Sequence, residues 1–146
     1  MKQLFNTLQS IERQRQRYER QLYQQFNFNH ADVRLLEFLR TTAQTLTELQ
    51  QLTNLDISTL SRQLTALTRK KMLVKQADQK DQRKRYFVLT DFGKNQFMTF
   101  NQARTKMETA IFANWSAEEQ QLLRVLLKRL LSSTQRLTPA TDHASR

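Results

Sequence analysis

The sequence predicts a mainly helical chain with one short β-hairpin. Three observations carry that prediction. One glycine and one proline in 146 residues leave too few turn-makers for an all-β fold. Leucines and aromatic residues recur at steps of three, four and seven through most of the chain, the period of a helix buried on one side. Two stretches, "MLVKQA" and "KRYFVLT", depart from that period and are rich in β-branched and aromatic residues, as strands are.

From Lys2 to Phe26, the residues Leu4, Leu8, Ile11, Tyr18, Leu22 and Phe26 form one thin stripe. Arg15 interrupts it, and Arg13, Arg17 and Arg20 lie on other faces. A stripe this narrow suits a seam against another helix, in the same chain or in a second one. Asn29 is placed to cap a second helix with Val33, Leu36, Leu39 and Leu35 inward. In the short third helix Thr47 and Gln50 have capping-box spacing, and Leu46, Leu49, Leu52 and Leu55 recur every three residues. Asn54, which tolerates the left-handed conformation, marks its end.

Asp56 is a fresh cap for "ISTLSRQLTALTRKK". Ile57, Leu60, Leu64 and Leu67 face inward there, and Ser58, Thr59, Ser61, Arg62, Gln63, Thr65 and Arg69 occupy the remaining surface. The two strands flank a basic loop from Asp78 to Gln82. Thr90 or Asp91 caps a long helix reaching about Asn114 and carrying Phe92, Phe97, Phe100, Met107 and Ile111. The lone Gly93 falls in its first turn, where a missing side chain lets the preceding strand pack close. Ser116 to Glu119 is a capping box that opens a leucine-rich last helix, and a polar tail follows Thr138-Pro139.

A short helix, a tight turn and a longer helix with a small-polar outer face is a helix-turn-helix, and a basic hairpin behind it makes it winged. The fold class expected is therefore mainly α, with a winged helix-turn-helix lobe and a two-stranded β-wing at about 29–90. N- and C-terminal helices at about 2–26 and 91–136 form a helical dimerisation region, and the polar tail is 138–146.

Lys and Arg total 24 against 13 acids, a net charge of +11. Such an excess points to a polyanion. With no cysteine, disulfide scaffolds, thiolate metal sites and thiol catalysis are excluded. There is no phosphate-cradling glycine loop, no evident carboxylate pair and no histidine near a plausible serine, so no enzymatic activity is expected. Neither an apolar leader nor a membrane-spanning run is visible, and a soluble, cytoplasmic protein is expected, with no membrane partner.

The stretch from Leu46 to Gly93 resembles the MarR family of bacterial transcription regulators. The wing carries Asp81-Gln82-Arg83 and then, six residues after the arginine, Leu89-Thr90-Asp91-Phe92-Gly93. Upstream, Leu46, Glu48-Leu49, Leu55, Ser61-Arg62, Leu64 and Leu67 match the family's helix-turn-helix, and the outer helices agree in order and length. Two positions depart from the pattern. Lys71 stands where the recognition helix usually ends in glycine, and Gln50 where alanine is preferred. Of the family's sensing chemistries, peroxide sensing needs a cysteine this chain lacks. Zinc sensing needs clustered ligands, whereas the two histidines, His30 and His143, are far apart in sequence. No cofactor and no metal are expected.

The resemblance implies a DNA-binding transcriptional regulator, repressor more than activator, acting as a homodimer on an inverted-repeat operator in double-stranded DNA. Ser58, Thr59, Ser61, Arg62, Gln63, Thr65 and Arg69 would meet the major groove and nearby phosphates. Arg83 and Arg85 belong to the wing, with Arg83 near its tip and able to enter the minor groove. Asp81 either holds the Arg83 guanidinium or only shapes the turn. Leu4, Leu8, Ile11, Tyr18, Leu122, Leu123, Leu126 and Leu130, with Val125, are the expected dimer surface. A small aromatic or phenolic effector is implied as well, and Tyr18, Phe38, Phe97 and Phe100 could line its pocket. An architectural nucleic-acid binder with no ligand response is the alternative.

Overall fold

A computed structural model of the chain describes residues 1–137, so the expected tail at 138–146 and His143 lie outside the described residues. In order, the elements are α1 (Lys2–Phe26), α2 (His30–Leu39), β1 (Gln44–Thr45), α3 (Leu46–Thr53), α4 (Ile57–Arg69), β2 (Leu73–Ala77), β3 (Arg85–Leu89), α5 (Asp91–Ile111) and α6 (Ala117–Gln135). The chain forms two compact units, Met1–Thr105 and a second beginning at Lys106. No helix among the described residues is long and apolar enough to cross a membrane.

The first unit holds the core. Leu35, Leu36 and Leu39 of α2, Leu49 of α3, and Leu60, Leu64 and Leu67 of α4 are buried together with Leu73, Phe87 and Leu89 of the sheet. Phe97 and Phe100 of α5 close it from the other side, and Phe100 is ringed by Tyr23, Phe26, Phe28 and Phe97 at centroid distances of 5.4 to 6.0 Å. These rings add a large buried apolar area to a core otherwise built mostly of leucine.

Each helix after α1 starts where a side chain satisfies its free N–H groups. Asn29 Oδ1 accepts from the Asp32 N–H at 2.8 Å, while Asp32 Oδ2 accepts from the Asn29 N–H at 3.0 Å. For α3 the capping box is Thr45 with Glu48, two residues before the expected Thr47 and Gln50. Both pairs have the right spacing, but only Glu48 places a carboxylate over the positive end of the helix. Ser116 and Glu119 form the box that opens α6.

The sheet has three strands, not two, in the order β1-β3-β2, all antiparallel. The added strand is Gln44–Thr45, which pairs with Phe87 and Tyr86 and is too short for alternation to reveal. Of the apolar residues read into the helical stripes, Ile57, Leu52, Phe92 and Ile111 face solvent. Ile57 is 53% exposed. It is the first residue of α4, and helical side chains lean back past the N-terminus, beyond the core leucines. Leu52 is exposed because a strict three-residue spacing drifts about 60° around the helix at each step. Phe92 is exposed at the second position of α5, and α5 itself stops at Ile111 rather than near Asn114.

The junction between α4, the wing and α5 is a close approach of backbones. Past Lys70, Lys71 adopts φ 62°, a left-handed conformation. Its N–H donates to Thr68 O at 2.9 Å and that of Met72 to Leu67 O at 3.1 Å, the paired bonds of a Schellman stop. Lys71 thus ends the helix as glycine would, without glycine. Thr90 holds the turn from across: its N–H donates to Met72 O at 3.0 Å and its hydroxyl to Lys71 O at 2.7 Å. The same Thr90 Oγ1 caps α5 by accepting from the Gly93 N–H at 2.9 Å. A Cβ on Gly93 would collide with the Met72 carbonyl oxygen and stand 3.1 Å from its Cα. Gly93 therefore serves a close approach of two backbones, as its position suggested, and needs no positive φ.

In the second unit α6 has no buried residue, and Leu122, Val125, Leu126, Leu127 and Leu131 are exposed.

Candidate nucleic-acid interface

α4 presents one bare polar face. Leu60, Leu64 and Leu67 are buried, whereas Ser58, Ser61, Arg62, Thr65 and Arg69 are exposed, and Thr59 and Gln63 lie half-buried at the margins. The exposed positions follow helical spacing over about three turns, so they form a single stripe. At its start Asp56 acts as the cap. One carboxylate oxygen accepts from the Thr59 N–H at 2.9 Å and the Ser58 hydroxyl at 2.6 Å, and the other accepts from the Thr59 hydroxyl at 2.7 Å. The Ser58 hydroxyl, then the backbone N–H and hydroxyl of Thr59, hold the Asp56 carboxyl well below the usual carboxylate range.

The wing turns without glycine and without a left-handed residue. Two aspartates make this workable. Asp78 Oδ1 accepts from the Lys80 N–H and Asp81 Oδ1 from the Arg83 N–H, both at 3.0 Å, each an Asx turn. Lys84 N–H donates to Asp81 O, and Asp78 N–H to Lys84 O, closing the loop at 3.0 Å each. The Asp81 carboxylate thus accepts from the backbone of Arg83, and it forms no ion pair with the Arg83 guanidinium among the described residues. Lys80, Arg83 and Lys84 are exposed and make no ion pair among the described residues. Arg85 sits on β3 and donates to Gln82 O at 2.9 Å, and Lys75 lies over the Phe87 ring at 5.3 Å. Beside α4 lies a groove of about 400 Å³, lined by Ser61, Thr65 and Arg69 of α4, Lys75 and Phe87 of the sheet, and Leu46 at the start of α3.

One cation of the basic run turns inward. Lys70 Nζ donates to Asp32 Oδ2 at 2.8 Å and to Asn27 O at 2.7 Å. Asp32 is buried, and the contact ties the end of α4 to the start of α2 and the turn after α1. The acid was visible in the sequence as the fourth member of Asn29-His30-Ala31-Asp32, but its partner lies 38 residues away.

The remaining site expectations divide by placement. Leu4, Ile11, Tyr18, Leu122 and Leu126 are exposed, and Leu8, Leu123 and Leu130 are half-buried. Of the four residues expected to line an effector pocket, Phe97 and Phe100 are packed in the ring cluster of the core, Phe38 is half-buried and Tyr18 is exposed. No three histidine, aspartate or glutamate side chains cluster as metal ligands among the described residues.

Residues 28–93 match a family described as the winged helix DNA-binding domain. Over 83 residues the chain is 35% identical to YxaD of Bacillus subtilis (strain 168), described as an uncharacterized HTH-type transcriptional regulator. That match takes in 57% of this chain and 58% of YxaD, so the chain spans less than two thirds of that relative. Among solved structures, YusO from Bacillus subtilis agrees with a TM-score of 0.81 at 17% identity, over 90% of this chain and 94% of that one. The complex of S. aureus MepR with DNA agrees with a TM-score of 0.77 at 23% identity, over 86% and 96%. At these identities the structural likeness is one of fold.

Proposed function

We propose that this chain, whose residues 28–93 match a winged helix DNA-binding domain, is a regulator of the MarR family and controls transcription by binding double-stranded DNA sequence-specifically. The observation that carries this reading is the pairing of two bare surfaces. The hydroxyl and guanidinium stripe of α4 has the width of one helix, which the major groove admits. The wing beside it offers Lys80, Arg83 and Lys84 without acidic partners among the described residues. Phosphate attraction positions the chain and the α4 stripe reads bases. Arg83, at the wing tip, enters the minor groove.

The proposal includes a homodimer on an inverted repeat, acting as a repressor. Leu122 of α6 is 59% exposed, and Leu4 and Ile11 of α1 are exposed too, apolar surface that a second copy would cover. Two-fold symmetry then places two α4 helices about 34 Å apart, one duplex turn. The proposal extends to a small-molecule effector. MepR has been solved with ethidium bromide bound, which favours a small aromatic ligand here. The filled ring cluster at Phe97 and Phe100 favours the alternative, an architectural DNA binder without ligand response.

Footprinting on the intergenic DNA beside the gene tests the reading. Protection of an inverted repeat at salt that abolishes binding to random DNA is expected, and equal affinity for both would refute it. Release of that complex by a panel of aromatic cations and phenols distinguishes a ligand-responsive regulator from an architectural one.

A further inference from the structure

We propose that Asp56 sets which base edges the start of α4 can read, by fixing the direction of the hydroxyl protons of Ser58 and Thr59. This rests on the DNA-binding reading above and adds a chemical preference to it. Ser58 Oγ lies 2.6 Å from one Asp56 oxygen and Thr59 Oγ1 2.7 Å from the other. An ionised carboxylate has no proton to give, so at both contacts the proton is the hydroxyl's. Each hydroxyl has one proton. Once it is committed to Asp56, what each oxygen can turn outward is lone pairs. Thr59 Oγ1 already uses one of these, accepting from Arg62 Nη2 at 3.5 Å.

In the major groove the donors are adenine N6 and cytosine N4, and the acceptors include guanine O6 and N7 and thymine O4. Serine and threonine ordinarily serve either kind, because the hydroxyl rotates. Here Asp56 removes that freedom. Ser58 and Thr59 become acceptors toward DNA, so adenine or cytosine is favoured at the positions they face. Guanine or thymine there would set acceptor against acceptor.

Asp56→Asn separates this from simple capping. Asparagine caps a helix as well as aspartate does. Its Oδ1 can retain the bonds from the Thr59 N–H and the Ser58 hydroxyl, which share one oxygen in Asp56. Its Nδ2, in place of the oxygen that accepts from Thr59, becomes a donor and turns the Thr59 proton outward. The experiment is equilibrium selection by the full chain on double-stranded DNA with randomised positions, followed by sequencing, for the wild type, Asp56→Asn and Thr59→Val. At one base position, a wild-type preference for adenine or cytosine should move toward thymine or guanine in Asp56→Asn, by about tenfold. Thr59→Val should lose the preference at that same position. A uniform rise in affinity with an unchanged ranking, the effect of deleting one negative charge, would make Asp56 a cap and nothing more. So would a Thr59→Val protein with wild-type ranking. A wild type that enriches no sequence defeats the regulator reading itself, whereas a wild-type preference that survives Asp56→Asn defeats this inference alone.

Discussion

Thr90, Lys71 and Gly93 show how three side chains, one of them a hydrogen atom, fix a joint. Lys71 bears the strain of a positive φ, and Thr90 holds it there through the Lys71 carbonyl. Lys71→Gly should raise stability by about 1 kcal/mol, because glycine reaches this conformation without the Cβ penalty. Gly93→Ala should act in the opposite sense. Its methyl group meets backbone rather than a movable side chain, so about 1–3 kcal/mol should be lost. Thermal melting of the two variants checks both signs. At the wing tip Asp81 offers a finer test. If its task is to accept from the Arg83 N–H, Asp81→Asn should bind DNA at least as tightly as the wild type, since the turn is kept and a negative charge is lost, and Asp81→Ala should bind more weakly than Asp81→Asn by about 1 kcal/mol. Equal losses in both would return the carboxylate's charge, and so a guanidinium partner, to the explanation.

At the level of elements, the buried Asp32–Lys70 contact joins α2 to α4 and so helps set the tilt of the helix that would meet DNA. Removing one partner leaves Asp32 as a buried charge with only its cap bond. Lys70→Ala should cost roughly 2 kcal/mol, below the usual range for a buried pair because Lys70 keeps some solvent contact. Denaturant unfolding measures it, and a cycle with Asp32→Asn isolates the pairwise part. This contact also marks the boundary of what the sequence could reveal. Caps were legible at Asn29, Asp56 and Ser116, and at Thr90 as one of two candidates, because a cap and its N–H lie three residues apart. The buried stripes of α2 and α4 were legible for the same reason, save Ile57 at the extreme start. The Lys70 partner and β1 were not, since each depends on where distant backbone returns. The α3 box failed differently: two overlapping spacings were both valid, and the helix macrodipole chose between them.

At the level of the whole molecule, charge and bare apolar surface make separate predictions. With a net charge of +11, affinity for DNA should fall steeply with salt. Arg83→Ala should lower the slope of log K against log salt by about 1 if the arginine neutralises a phosphate, leaving a binding titration at several ionic strengths to decide. Leu122→Glu, a change at a residue already facing solvent, should leave the melting temperature of dilute chain nearly untouched while halving the mass seen by light scattering. Unchanged mass would remove α6 from the dimer.

The joint at Thr90 has a last consequence, in time rather than in energy. The N–H groups of Met72, Thr90 and Gly93 are all engaged in one knot that links the end of α4, the base of the hairpin and the start of α5. In deuterated water these protons can exchange only when all three segments part together, so they should exchange slowly and at a common rate. The N–H groups of Lys80 and Arg83, held by single exposed carboxylates, should exchange long before them. On that outcome the wing would be a blade with a clamped root and a looser edge.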